Sequence, residues 1–130
     1  MTEKVRVIKL ITTLLLVFLA GICFAQSPEL WKITAYCSCK LCCAKDVTDP
    51  AYNITASGKP AQWGYVACNW LDFGTKVNIK GLGSFVVMDR GAKSLFGSYN
   101  GKHIKHLDIW FPDHNQARKF GVKYMEVSID

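Results

Sequence analysis

Six apolar runs of only four to seven residues, each closed by glycine or a polar turn, set the limits on what this chain can fold into. They fall at residues 30–36, 64–69, 76–79, 83–89, 106–111 and 124–129. Runs of this length suit strands and are too short for core helices. In the first, Ile33 and Ala35 alternate with Lys32 and Thr34, the two-residue period of a strand with one face buried. Gly74 and the triplet Gly81-Leu82-Gly83 break the middle runs, the triplet as a hairpin turn. One helix interrupts the pattern. Asp113 and Gln116 have capping-box spacing, Ala117 and Phe120 form a narrow apolar face, and Gly121 ends it. The stretches 37–53 and 91–105 read as loops. Short strands with so little helix predict a mainly β domain, a small barrel with one or two short helices rather than an alternating α/β sheet.

The N-terminus is different in kind. Lys4, Arg6 and Lys9 precede an uncharged stretch, residues 10–25, rich in Leu, Ile, Val and Phe, which is the layout of a secretory leader. That stretch is shorter than the roughly 20 residues that cross a bilayer, so a cleaved leader over residues 1–25 is expected rather than an anchor. Cys23 and Ala25 supply small side chains for cleavage before Gln26, while the bulky Ile22 argues against lipid attachment at Cys23. Residues 26–130 then form one exported domain, 105 residues with room for a single modest core. They carry 13 basic and 9 acidic side chains, and this mild excess of +4 suits a negatively charged surface such as a bacterial wall. The basic residues are scattered, without the Arg-rich or aromatic-rich motif of a nucleic-acid binder. A monomer located in the periplasm, at the outer membrane or wall, or outside the cell is expected.

Five cysteines follow the leader: Cys37, Cys39, Cys42, Cys43 and Cys68. Export permits disulfides and a small core makes them useful. A bridge between Cys42 and Cys43 would be strained, so pairings that skip residues or reach Cys68 are preferred, leaving one thiol over. The alternative is a zinc site built from Cys37, Cys39, Cys42 and Cys43, with Cys39-x-x-Cys42 as the knuckle. It lacks the usual second Cys-x-x-Cys pair. Disulfides are therefore the expectation, with neither a metal nor a cofactor.

Two aspartates lie inside the apolar runs. Asp89 ends Phe85-Val86-Val87-Met88, and Asp108 interrupts Leu107-Ile109-Trp110-Phe111. Burial of a carboxyl costs hydration and raises its pKa toward the range a general acid needs. The plainer reading of Asp89-Arg90-Gly91 alone is a turn. Strand alternation sends His106, Asp108 and Trp110 to one face, with Leu107, Ile109 and Phe111 to the core. By the same parity Asp89 shares its side with Val87 and Phe85, and Arg90 points the other way. Trp110 beside an acid fits stacking on a sugar, though it fits a core position equally well. Thr55 and Ser57, in the turn Thr55-Ala56-Ser57-Gly58-Lys59-Pro60, either line a cleft or connect strands. His103, His106 and His114 lie close in sequence, but only His106 shares the Asp108 face, and His114 reads as a surface or capping residue.

Taken in order, Ile33-Thr34-Ala35-Tyr36, Thr55-Ala56-Ser57-Gly58, Phe73-Gly74-Thr75-Lys76-Val77, Val87-Met88-Asp89-Arg90-Gly91, Leu107-Asp108-Ile109-Trp110-Phe111 and His114 through Phe120-Gly121 resemble the three-aspartate ("3D") domain of bacterial cell-wall proteins. The resemblance spans about residues 33–127. It implies a six-stranded double-psi β-barrel, as in membrane-bound lytic transglycosylase A, rare-lipoprotein-A-like proteins and expansins, acting on peptidoglycan glycan strands. Asp89 and Asp108 match the family's second and third aspartates and become the expected catalytic pair. The first aspartate has no match: Asn69 stands nearest its place, with Asp72 off register. An amide holds a hydroxyl but exchanges no proton, so Asn69 is expected to bind substrate along with Trp110, His106, Thr55 and Ser57. The expected function is cleavage of glycosidic bonds in the wall, lytic or hydrolytic. The alternative is an expansin-like module that binds wall polysaccharide without turnover.

Overall fold

A computed structural model describes residues 3–8, 29–94, 96 and 105–130. The leader's apolar stretch, Cys23, the cleavage point and His103 lie outside the described residues. Residues 3–8 are helical (α1). The domain runs β1 (Leu30–Tyr36), α2 (Lys40–Cys43), β2 (Tyr65–Ala67), β3 (Lys76–Ile79), β4 (Gly83–Asp89), β5 (His106–Trp110), α3 (His114–Phe120) and β6 (Lys123–Ile129). The strands close into a barrel in the order β1-β5-β2-β4-β3-β6. Closure gives each strand two partners and leaves no open edge for pairing with another chain. The mainly β class and the six strands therefore stand, and the described residues hold three short helices where one or two were expected.

Alternation along each run fills the interior. Trp31 and Ile33 from β1, Val66 from β2, Val77 and Ile79 from β3, Phe85 and Val87 from β4, and Leu107 and Ile109 from β5 form one buried cluster together with Cys68. Each side chain of this size contributes about 1.5–3 kcal/mol by leaving water. Helix α3 starts as its sequence requires: Asp113 is the N-cap, its Oδ1 accepting the Gln116 N–H at 3.0 Å, and Gly121 with φ of +69° ends it.

Two local features depart from the sequence reading. A single helical turn, α2, occupies part of the stretch read as loop, with the Cys42 and Cys43 N–H groups both donating to the Cys39 carbonyl. The second strand is shorter than residues 64–69. It begins after Gly64, whose φ of +97° suits glycine, and its pairing with β4 slips after Val66.

That slip decides where the site lies. Val66 pairs with Val87, but Ala67 pairs with Asp89, so Met88 has no counterpart and the ladder bulges. A bulge reverses the facing of the residues beyond it. Asp89 thereby leaves the core side it would share with Val87 and Phe85 and joins Ala67 on the barrel's outer face, which corrects the simple parity expectation. The Met88 carbonyl accepts from the Ser57 N–H at 3.3 Å, so a backbone group released by the bulge stays satisfied.

Candidate active site

Strand register builds one row of side chains across the outer face. Thr34 on β1 pairs with Asp108 on β5, Asp108 with Ala67 on β2, and Ala67 with Asp89 on β4. Asp108 and Asp89 are thus two strand spacings apart, about 9–10 Å between Cα atoms, with Ala67 on the strand between them. Both aspartates and Ala67 line a single cavity of about 540 Å³. Its rim includes Tyr36, Thr55, Lys45, Arg90 and Phe96.

The two carboxyl groups have unlike surroundings. Among the described residues Asp108 accepts one hydrogen bond, from the Thr34 hydroxyl to Oδ1 at 2.8 Å. Burial, helped by the nearby Asp89 charge and opposed by the Thr34 bond and Lys32, pushes Asp108 up to about 6. With the Thr34 hydrogen committed to Asp108, the His106 Nε2–H must be the donor in the 2.6 Å contact between His106 and Thr34. His106 is buried and stacked on Phe96, with ring centroids 4.1 Å apart. Asp89, in contrast, accepts three bonds: from the Tyr36 hydroxyl to Oδ2 at 2.6 Å, and from the Ala56 and Arg90 N–H groups to Oδ1 at 2.8 and 2.9 Å. Three donors fix its orientation. Burial and the two carboxylates hold the Tyr36 phenol far above its ordinary pKa, so it remains a donor.

The expected binding residues divide into three groups. Thr55 lines the cavity, and Ser57 meets it at 2.9 Å between hydroxyls. His106 reaches Asp108 through Thr34. Asn69 and Trp110 do not line the cavity. The Asn69 amide braces the turn beside Asp89, donating to the Gly91 carbonyl and accepting its N–H, both at 2.9 Å. The Trp110 indole N–H donates to Ser38 at 2.9 Å. Arg90 is among the residues lining the cavity, while its guanidinium is bonded to the Cys68 carbonyl at 2.6 Å and lies 3.9 Å over the Phe73 ring, neither of which lines it. Thr34 and Tyr36 were missed by the sequence reading. Their partners lie 74 and 53 residues away, and only register reveals them.

The cysteines do not form the expected staple. All five described thiols are unbonded. Cys68 is fully buried in the core, and Cys43 donates to the Cys37 carbonyl at 3.2 Å. Cys37, Cys39 and Cys42 instead gather around His114 Nδ1, at 3.7, 3.4 and 3.5 Å respectively, with Cys37 and Cys42 sulfurs 3.5 Å apart. His114, read as a capping or surface residue, takes the corner assigned to Cys43 in the zinc alternative.

No family model matches the chain, and no curated protein matches it in sequence.

Proposed function

We propose that this chain is an exported double-psi β-barrel enzyme of the three-aspartate kind that cleaves glycosidic bonds in the glycan strands of peptidoglycan, with Asp108 as acid and base and Asp89 as its charged partner. The observation that carries the reading is the convergence of both carboxyl groups on one cavity, where burial pushes Asp108 up to about 6. Two parallel strand pairs, β1 with β5 and β2 with β4, support the double-psi arrangement. The leader-like N-terminus supports export.

Asp108, near 6, holds its proton about a tenth of the time at pH 7, far more often than an ordinary carboxyl, and gives it to the glycosidic oxygen as that bond breaks. The Asp89 carboxylate, held by three donors, faces the positive charge that develops on the sugar ring. Asp108, now ionised and steadied by Thr34, then takes a proton. Taken from the muramyl 6-hydroxyl, it yields a 1,6-anhydro product; taken from water, it completes hydrolysis. The chain from His106 through Thr34 orients Asp108 through both half-reactions.

The test is incubation of the purified protein with peptidoglycan and mass spectrometry of the released fragments. Anhydro-muropeptides or new reducing ends that vanish in Asp108→Asn are expected. Sedimentation with the wall, without any fragment that depends on Asp108, would refute the enzyme and leave a wall-binding module.

A further inference from the structure

Beside the carboxylate cavity, the densest grouping of reactive side chains among the described residues lies where β1 and β5 leave the barrel. These strands run parallel and pair up to Tyr36 with Trp110, so both chains exit at the same end. The first carries Cys37, Cys39 and Cys42 through the turn of α2; the second reaches His114 at the start of α3. Four ligand atoms of the soft and borderline kinds, three sulfurs and one imidazole nitrogen, all lie within 4.8 Å of one another.

The spacing is more informative than the proximity. A tetrahedral ion with Zn–S of about 2.3 Å and Zn–N of about 2.0–2.1 Å holds sulfurs about 3.8 Å apart and a sulfur about 3.6 Å from the nitrogen. The three sulfur-to-nitrogen distances here are 3.4, 3.5 and 3.7 Å, and the Cys37–Cys42 sulfur distance is 3.5 Å. A disulfide needs its sulfurs about 2.05 Å apart and makes no use of an imidazole aimed at them. Cys43, the fourth thiol of the local sequence, is turned away to the Cys37 carbonyl.

We infer that Cys37, Cys39, Cys42 and His114 bind one Zn²⁺ ion as a closed, structural S₃N centre. Thiolate and imidazole donors in tetrahedral array select zinc over the hard cations, and four protein ligands leave no open position for catalysis. Binding converts three thiols to thiolates and releases their three protons, so the complex carries a net charge of −1. The ion joins segments 72 to 77 residues apart in sequence. It also fixes one wall of the carboxylate cavity, because Cys42, Cys43 and Lys45 line that cavity.

Elemental analysis of the purified protein, prepared without added metal and passed through gel filtration, tests this. About one zinc per chain is expected, as a closed site requires. The metal should be retained in Cys43→Ser and in His114→Cys, which keeps four ligands, and lost in Cys39→Ser and His114→Ala. Replacement by Co²⁺ should give the intense visible d–d bands of a tetrahedral thiolate site, a readout that does not depend on any variant folding. The inference is overturned by any of three results: metal-free protein that takes up no Co²⁺ in this form, a Cys37–Cys42 disulfide found by alkylation and mass spectrometry without reductant, or undiminished zinc in both Cys39→Ser and His114→Ala.

Discussion

Replacing Asp108 with asparagine should stabilise the protein at neutral pH while abolishing glycan cleavage. The fold raises the Asp108 pKa from its ordinary 3.8 to about 6, so folding favours the protonated form. Below about pH 3.8 the group is neutral in both folded and unfolded chains, and its burial carries no ionisation penalty. As pH rises, the unfolded chain ionises first, stability falls, and the loss is complete above about pH 6. At 1.36 kcal/mol per pH unit, the 2.2-unit difference amounts to about 3 kcal/mol. Asparagine has no such titration, and its carbonyl can still accept the Thr34 hydroxyl. Urea unfolding of wild type and Asp108→Asn at intervals between pH 4 and 8 measures the effect. The difference between the two proteins should grow by about 2.5 kcal/mol across that range in favour of the variant, since titrations elsewhere are common to both. A difference that stays constant with pH would refute the burial argument, and with it the physical basis for Asp108 as the acid.

Three further changes probe the surroundings of the pair. Thr34→Val removes the hydrogen bond that lowers the Asp108 pKa; the alkaline limb of the pH–rate profile should move upward, with a stability loss of about 1 kcal/mol for the missing bond. Gly91→Ala would drive a Cβ into the Phe96 ring, displacing that ring from its stack on His106. Lower turnover with a melting temperature changed far less than turnover is expected, and an unaltered rate would remove Phe96 from the site. Asn69→Asp restores the carboxylate that the three-aspartate pattern would have, but a carboxylate there has no hydrogen to donate to the Gly91 carbonyl. It should cost about 1 kcal/mol in denaturant unfolding and leave cleavage no faster; a gain in turnover would mean that Asn69 faces substrate after all.

The positions of the strands were legible because their signals are local. Glycine at 74, 81 and 83 and the alternation in β1 reproduce β1, β3 and β4 to the residue, and Asp113, Gln116 and Gly121 bound α3 for the same reason. Pairing between strands is not local, and the placement of Asp89, Thr34 and Tyr36 traces to it. Parity along β4 sends Asp89 inward, yet one unpaired residue in the ladder, Met88, turns it outward beside Ala67. Thr34 and Tyr36 look like ordinary outer-face strand residues until β1 is laid against β5 and their hydroxyls meet the two aspartates.

His114 follows the same logic. Its neighbours in sequence, the N-cap Asp113 and the helix it opens, favour a capping or surface role, and nothing nearby hints at thiols. The parallel register of β1 and β5 alone places the residues after Tyr36 and the residues after Trp110 at one end of the barrel. Once that pairing is known, a cysteine-rich exit from β1 faces a histidine four positions beyond β5, and the gathering of Cys37, Cys39, Cys42 and His114 follows. The pairing that seats Asp108 on Thr34 therefore also assembles the cysteine cluster, so disruption of β1–β5 should disturb both sites. Loss of the cluster alone, as in Cys39→Ser, should leave the row of Thr34, Asp108, Ala67 and Asp89 in register and loosen only the wall that Cys42 and Cys43 contribute.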